Sequence, residues 1–409
     1  MEMLRNFMPR MLTGHELNEA LRIRPEYSKA ILKATGADRL IALQDMYGIY
    51  IPTDMSREVY SKLYLSLLRS LDKKQSHKAI RQFSENQKHM QGKEFTSIIG
   101  GADSFTIIGE SGIGKSATVS RVIDLISSQQ VIDLANSMRI IPCVQVQTPA
   151  DCSVKGLLFE ILRKVDEILD TRYHYNATRI GSTTDMLIGS VSTVALNHIG
   201  LLIVDEIQNV VNSKNGNIVV GMLTQLINNA GIAICMVGTP KSMLFFGQEM
   251  MLARRSLGLS YEPFENDGIF DDFCSELFKY QYVQSRTSLD ESILYWLYNH
   301  SHGNASVVVS LIHDAQEIAI LSGYEKLDIT SLEKAYNHRL EMLHDYLYQE
   351  PIQAKKVTSK KKSTDDNNAP SKDSGDELIT SVVTRAKRLQ KDIVAELRYY
   401  GIQISEVAV

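Results

Sequence analysis

Apolar positions follow two different spacings along the chain. Residues 1–95 carry amphipathic stretches with helical spacing, at 16–32 and 57–71. From about residue 96, short apolar runs alternate with helical patterns, and the runs predict buried strands at 104–108, 139–146, 200–204 and 232–237. Nearly continuous apolar runs are typical of parallel strands covered by helices on both faces. The middle of the chain therefore predicts an α/β layer, a doubly wound parallel sheet.

The spacing changes again after this layer. Helical patterns without strands recur at 291–300, 305–321 and 331–347. Residues 351–376 contain almost no apolar side chains, so burial cannot offset the entropy of ordering them. We therefore predict an N-terminal helical extension (1–95), an α/β core (96–285), a helical lid (286–350), a disordered linker (351–376) and a C-terminal amphipathic tail (377–409).

Composition and charge narrow the possible classes of protein. The chain has 409 residues, 44% of them hydrophobic, which excludes a collagen, a disulfide-stabilised miniprotein and a globally disordered protein. No apolar run is long enough for a bilayer and the N-terminus does not resemble a signal peptide, so we expect a cytoplasmic protein without membrane contact. The formal charge of −4 lacks the basic excess of a dedicated nucleic-acid module. Four cysteines without zinc-ligand spacing predict no structural metal.

The strongest chemical signal follows the first predicted strand. The segment Gly109-Glu-Ser-Gly-Ile-Gly-Lys-Ser116 matches the phosphate loop G-x-x-x-x-G-K-[ST], with a strand before it and a helical pattern after it. Glycines let backbone N–H groups converge on phosphate oxygens, Lys115 would bridge the β- and γ-phosphates of ATP, and Ser116 would ligate Mg²⁺. The predicted nucleotide-binding residues are Gly109, Glu110, Ser111, Gly112, Ile113, Gly114, Lys115, Ser116 and Ala117.

Two acids about ninety residues further on complete the predicted site. The apolar strand at 200–204 ends in Asp205 and Glu206. Asp205 would hold the magnesium ion, and Glu206 would act as the base that polarises the attacking water. A buried strand ending in solvated acids is the alternative, but its pairing with a phosphate loop favours ATP hydrolysis. A kinase built on the same loop is disfavoured by the two adjacent acids.

The chain resembles the AAA+ superfamily and, within it, the TnsC/TniB class of ATPases that regulate DNA transposition. The resemblance covers about residues 45–345. It rests on the phosphate loop, the segment 201–209, and four shorter motifs: Ile49-Tyr-Ile-Pro52, Val237-Gly-Thr-Pro240, Leu252-Ala-Arg-Arg255 and Ser301-His-Gly-Asn304.

The resemblance implies further site residues. Thr239 would be the polar sensor that positions water against the γ-phosphate, with a simple strand-ending turn as the alternative. Arg254 or Arg255 would reach the nucleotide of a neighbouring subunit, or else lie at a solvated helix end. Many AAA+ lids place an arginine a few residues after a glycine like Gly303, but this chain reads Gly303-Asn-Ala-Ser-Val-Val. A lid without that arginine implies slow hydrolysis, which suits a switch.

Partners are predicted mostly from the resemblance. It implies a homo-oligomer, a ring or a helical filament, that assembles on double-stranded DNA with ATP and connects a target-selector protein to transposase subunits. Residues 377–397 of the tail are the candidate transposase-binding segment, with a helix that folds back onto the same protein as the alternative. The N-terminal helices are the candidate contact for the target selector. Polar loops at 147–155 and 171–184 are candidate DNA contacts or simply solvated loops, and their basic residues are Lys155, Arg172 and Arg179. The alternative is an AAA+ signalling or secretion ATPase that acts on protein partners without DNA.

Overall fold

A computed structural model of the chain describes residues 4–74, 104–127, 129–133, 139–149, 153–179, 183–210, 232–242 and 256–340, together with 181, 219, 221–223 and 226. The chain divides into two units, Met1–Tyr336 and Asn337–Val409. Nearly all of the second unit, including the predicted linker and tail, lies outside the described residues.

The first unit is built on a six-stranded sheet with the order β2-β3-β4-β5-β1-β6. All neighbouring strands are parallel except β2, which pairs antiparallel with β3. The sheet is flanked by helices, which confirms the predicted α/β class. The sequence patterns did not indicate β2 and β6. The strands are β1 (Ser104–Gly109), β2 (Ile132–Asp133), β3 (Arg139–Gln147), β4 (Ile199–Asp205), β5 (Ala233–Gly238) and β6 (Ser256–Tyr261).

Helices precede, flank and follow this sheet. Shorter 3₁₀ turns occur at Leu4–Phe7, Lys29–Lys33, Gln44–Gly48, Ile207–Val210 and Pro240–Ser242. Among the described residues no helix combines the length and the apolar character needed to cross a membrane. The helices are α1 (Gly14–Leu21), α2 (Gly36–Leu43), α3 (Asp54–Lys74), α4 (Lys115–Ile126), α5 (Val154–Leu169), α6 (Tyr173–Arg179), α7 (Thr184–His198), α8 (Gly268–Phe278), α9 (Glu291–Ser301), α10 (Ala305–Leu321) and α11 (Ile329–Ala335).

The two faces of the sheet bury separate apolar clusters. Successive residues of β4 point to opposite faces, so Leu202 packs with the helices α5 and α7 on one face. Leu201 packs with residues of α1, α3 and α4 on the other face. Every position of β4 is buried as a result, which is why its apolar run is continuous.

The N-terminal segment differs from its predicted helices. We expected one helix over 16–32, but α1 ends at Leu21. Pro25 has no N–H to donate and disfavours helical geometry at the preceding residue. Ile23 instead pairs antiparallel with Tyr50 through two backbone hydrogen bonds, of 3.0 and 3.1 Å. The predicted helix at 57–71 is α3, whose apolar face is part of the core.

The lid helices follow the sequence pattern closely until residue 335. The helices α9 and α10 match the predicted 291–300 and 305–321 within one residue. The predicted helix 331–347 begins earlier, at Ile329, and α11 gives way to a π-helical turn at Tyr336–Leu340. A capping box at Asp328 and Ser331 explains the earlier start, because it satisfies backbone donors at that end.

A buried ion pair joins the N-terminal segment to the lid. The Arg39 guanidinium donates two hydrogen bonds to the Glu325 carboxylate, at 2.6 and 2.5 Å, and a third to the Tyr282 carbonyl at 2.9 Å. The Arg39 side chain is only 3% exposed, so it depends on these partners. The hydrogen bonds from Arg39 lower the pKa of the Glu325 carboxyl.

We predict that Glu325→Gln lowers the free energy of unfolding by about 3 kcal/mol, because it leaves the buried Arg39 without its countercharge. The lowered pKa of Glu325 also determines how the effect of this substitution changes with pH. The ion pair stabilises the wild type fully above the unfolded pKa of the carboxyl, and this contribution disappears as pH falls through the lower folded pKa. Urea titrations across acidic pH should therefore show a difference between the two proteins that shrinks toward low pH.

Glu167→Gln is the matched control. Glu167 accepts from Lys164 at 3.0 Å on the exposed side of α5, and the two side chains are 56% and 34% exposed. A surface pair of this kind contributes about 0–1 kcal/mol to the free energy of unfolding, so this substitution should change that free energy very little. Equal effects of the two substitutions would contradict a special role for Arg39 and Glu325.

Candidate functional site

The loop between β1 and α4 has the backbone of a phosphate cradle. Gly112 and Gly114 adopt left-handed φ angles of +85° and +94°, which residues other than glycine rarely adopt. Gly109 has no room for a side chain, because a Cβ there would lie 2.8 Å from the Tyr261 carbonyl. The helix α4 begins directly at Lys115, so the unpaired N–H groups of its first turn face the same space.

Lys115 is the basic group of this loop. Its side chain is 8% exposed, and its Nζ donates to the Glu110 carbonyl at 2.7 Å. Burial lowers the pKa of Lys115, while the carboxylates of Asp205 and Glu206 act in the opposite direction and favour the ammonium. The geometry therefore places a cation between the loop and the two acids.

A hydroxyl and a carboxylate meet at the end of β4. Ser116 Oγ donates to Asp205 Oδ2 at 2.8 Å, and the other oxygen, Oδ1, accepts the Glu206 N–H at 2.8 Å. Asp205 is 3% exposed. One carboxylate oxygen and one hydroxyl oxygen on adjoining elements are oxygen ligands of the kind that Mg²⁺ takes, so this donor set fits magnesium.

Glu206, Gln208 and Thr239 form a chain along the adjoining strand ends. Glu206 is exposed and has a left-handed φ of +57°, which is uncommon outside glycine. Gln208 Nε2 donates to the Glu206 carboxylate, and Gln208 Oε1 accepts the Thr239 N–H at 3.2 Å. Among the described residues, no group forms a hydrogen bond with the buried Thr239 Oγ1. Thr239 is also one of the residues that line the cavity described next.

These groups share a cavity of about 220 Å³. Gln208, for which no role was predicted, lines the cavity together with most of the predicted residues. The predicted loop residues Gly109, Glu110 and Ile113 are not among its lining residues. Ser306, at the start of α10, brings the lid to the same space. The lining residues are Ser111, Gly112, Gly114, Lys115, Ser116, Ala117, Asp205, Glu206, Gln208, Gly238, Thr239 and Ser306.

A second cavity, of about 260 Å³, is lined in part by the loop residue Ile113. Its wall combines residues from the start of α3, the segment after β6 and the lid. Several of them are apolar, including Met55, Ile113, Phe264 and Ala305. No local sequence pattern indicates this cavity, because its lining residues are far apart in the chain.

The remaining predicted residues have different outcomes. Arg254 and Arg255 lie outside the described residues. Lys155 is not in a loop but in the first turn of α5 and exposed, and most of the predicted loop 171–184 is helix. The reason is capping: Asp166 accepts the N–H groups of Tyr173 and His174, both at 2.8 Å, which begins α6. Arg172 and Arg179 flank or end that helix and are exposed.

One other group of possible metal ligands lies in the lid, at His313, Asp314 and Glu317. His313 Nδ1 is 2.9 Å from Asp314 Oδ1, and its Nε2 is 3.2 Å from the Gln44 amide nitrogen. Both ring nitrogens are therefore engaged, and the histidine connects the lid to the turn after α2.

Comparison with known proteins gives one family. Residues 101–265 match the family described as Bacterial TniB protein, and this range contains both the phosphate loop and the two acids. No curated protein matches the sequence. The match confirms the predicted resemblance to the TnsC/TniB class of AAA+ ATPases.

Three solved structures with a similar fold are distant in sequence. The ORC1 protein of Aeropyrum pernix in complex with DNA has 13% identity and a TM-score of 0.44, over 65% of this chain and 64% of that chain. The ORC2 protein of Aeropyrum pernix in its ADP form has 14% identity and a TM-score of 0.42, over 71% and 70%. Drosophila ORC bound to DNA has 14% identity and a TM-score of 0.39, over 87% and 83%. The chain thus spans just under two thirds of the length of the first of these.

We predict that Gly112→Ala destabilises the protein by about 1–3 kcal/mol, because alanine must adopt the left-handed conformation. A Cβ at this position would also lie 2.5 Å from Asn304 Oδ1 and 2.7 Å from Ser306 Oγ. Thermal unfolding of the variant and the wild type measures the predicted loss of stability.

Gly189→Ala, in the interior of α7, is the control. A Cβ there meets nothing within 4 Å, so alanine should stabilise the helix by about 0.5–1 kcal/mol. If both substitutions stabilise the protein, the described conformation of the loop is wrong.

Proposed function

Because residues 101–265 match the TniB family of AAA+ ATPases, we propose that this chain is an ATP-dependent regulator of DNA transposition. In this proposal it oligomerises on double-stranded DNA with ATP bound and connects target-site selection to the transposase. The observation that carries the ATPase part is the meeting of Lys115, Ser116, Asp205 and Thr239 around one cavity.

The cradle binds the triphosphate. Loop N–H groups and the first turn of α4 donate to phosphate oxygens, and Lys115 leaves the Glu110 carbonyl to pair with the β- and γ-phosphates. Ser116 and Asp205 hold Mg²⁺, which when bound neutralises charge on the phosphates. The mutual hydrogen bond of these two residues already brings their oxygens to 2.8 Å.

The proposed hydrolysis needs one base and one orienting group. Glu206 accepts the proton of the attacking water, and its exposure leaves the carboxylate accessible to that water. Thr239 Oγ1, which lacks a partner among the described residues, orients the water or the γ-phosphate. Gln208 contacts both the Glu206 carboxylate and the Thr239 backbone, so it sets the distance between base and sensor.

The apolar cavity beside Ile113 accommodates the nucleobase in this proposal. A ligand that extends from the phosphate cradle into this cavity would meet its lining residues Met55, Ile113 and Ala305. Ligand pockets commonly combine an apolar wall with a few polar groups, and the two cavities together provide that combination.

The proposal also includes contacts between subunits, with DNA and with protein partners. Arg254 or Arg255 reaches the nucleotide of the next subunit, which makes ATP a bridge between subunits. The DNA phosphates are contacted by Lys155, Arg172 and Arg179, and each subunit makes one or two such contacts. The oligomer multiplies these weak contacts. Residues 377–397 recruit the transposase, and the N-terminal helices meet the target selector.

An AAA+ signalling or secretion ATPase that ignores DNA is the second candidate. The formal charge of −4 is the observation that favours it, because nucleic-acid modules usually carry a basic excess. Sedimentation with duplex DNA in the presence of ATP distinguishes the two candidates.

We predict that Lys115→Ala weakens ATP binding by roughly 30-fold or more, as removal of one partner from a buried charged contact does. Glu206→Gln should keep ATP affinity but reduce the hydrolysis rate by roughly 10²- to 10⁴-fold, because it removes only the base. Equilibrium binding and steady-state phosphate release measure the two effects. Normal turnover by the glutamine variant would refute the role of Glu206, and unchanged affinity of the alanine variant would refute that of Lys115.

We predict that the combined change of Lys155, Arg172 and Arg179 to alanine weakens DNA binding and flattens its salt dependence. The slope of log affinity against log salt should fall by about 0.9 for each phosphate that the variant no longer neutralises. Arg163→Ala is the control, because Arg163 pairs with Glu160 at 2.6 Å on the same helix α5. DNA affinity that is identical in the triple variant and the control would place the DNA-binding surface elsewhere.

A further inference from the structure

The phosphate loop needs hydrogen-bond donors on its outer side. When its N–H groups face the phosphates, carbonyl oxygens face away from them. Two of these carbonyls find donors in the lid: Asn304 Nδ2 donates to the Ser111 carbonyl at 2.8 Å, and the Ser306 N–H donates to the Gly112 carbonyl at 3.0 Å. Both donors lie at the start of α10, since Asn304 directly precedes this helix and Ser306 is its second residue.

Asn304 performs two tasks with one amide. Its Oδ1 accepts the N–H groups of Ser306 and Val307 at 3.1 and 3.4 Å, which caps α10. Its Nδ2 is then directed at the loop, and the side chain is almost fully buried, with 6% of its residue surface exposed. An amide is suited to this place because it accepts at one end and donates at the other.

The packing is tight on both sides of Asn304. Gly112 lies so close that a Cβ there would be 2.5 Å from Asn304 Oδ1. On the other side, Gly303 has a φ of +71°, and a Cβ there would be 2.0 Å from the Phe264 carbonyl. Phe264 N–H donates to the Gly303 carbonyl at 3.0 Å, which fixes this turn to the segment after β6. Asn304 therefore has little freedom to leave the loop.

We propose that Asn304 is a positioning residue for nucleotide binding: its amide holds the Ser111 carbonyl outward and so keeps the loop N–H groups directed at the phosphates. The inference rests on the proposed ATP-binding function. Asn304 occupies the lid region in which this chain lacks an arginine, but it acts on the loop and not on the γ-phosphate. Because the loop cradles the phosphates of ATP and ADP alike, removal of this hydrogen bond weakens the binding of both nucleotides to a similar extent.

Asn304→Ser tests the proposal. Serine is a good helix cap and is uncharged, so α10 keeps its cap, but its short side chain lacks the amide that reaches Ser111. We expect the affinities for MgATP and MgADP both to fall by about five- to tenfold, which corresponds to the loss of one hydrogen bond to a group that stays buried. Displacement of a fluorescent nucleotide from the full-length chain measures both affinities.

Asp290→Ser is the matched control. Asp290 caps α9 in the same lid by accepting the Ile293 N–H at 2.9 Å, and its carboxylate also accepts from the Ser292 hydroxyl in the same helix and not from the phosphate loop. This variant should bind both nucleotides like the wild type.

The outcomes separate the two proposals. Wild-type affinity of Asn304→Ser for both nucleotides would overturn the positioning role. A loss confined to ATP would overturn it too, because that pattern indicates direct contact with the γ-phosphate. If Asp290→Ser loses affinity equally, lid stability and not the hydrogen bond to the loop is responsible, and the inference fails. A wild-type chain that binds neither nucleotide would instead refute the proposed function itself.

Discussion

The site depends on one constraint of backbone geometry. A peptide loop can direct several N–H groups at one anion only if its carbonyls point elsewhere, and those carbonyls then need donors of their own. Here the left-handed Gly112 and Gly114 turn the N–H groups inward. The lid residues Asn304 and Ser306 satisfy the carbonyls on the outside. The loop, α4 and the lid are consequently parts of one arrangement, although the lid lies almost two hundred residues away in the chain.

The parallel sheet explains why the other polar groups lie near this loop. The strands β4, β5 and β1 are neighbours and run in the same direction, so Asp205, Thr239 and the loop emerge at one edge. Glu206 turns away from the strand with a positive φ, and such backbone outliers occur disproportionately at functional sites. Gln208 links the acid to the neighbouring strand end, so the polar groups are held by hydrogen bonds as well as by the sheet.

The sequence predicted the parts of this arrangement that local pattern determines. Four strands, α9 and α10 lie within a residue of their predicted bounds, because each is a sustained apolar pattern. The strand β6 was missed, since Ser256–Tyr261 alternates two leucines with serine and glycine and owes its conformation to pairing with β1. Asn304 was read as part of a lid that lacked an arginine. Its hydrogen bond to Ser111 joins residues 193 positions apart, and no local pattern indicates such a pair.

The N-terminal segment shows how far these non-local contacts reach. Tyr50 donates to Thr118 Oγ1 in α4 at 2.9 Å, directly behind the phosphate loop. Arg39 of the same segment pairs with Glu325 in the lid. Because Arg39 donates hydrogen bonds to the Glu325 carboxylate and the Tyr282 carbonyl, α2 cannot move away from the lid without breaking all of them. The segment before the sheet therefore contacts both α4 and the lid, the two elements beside the candidate nucleotide site, and these hydrogen bonds couple its position to theirs.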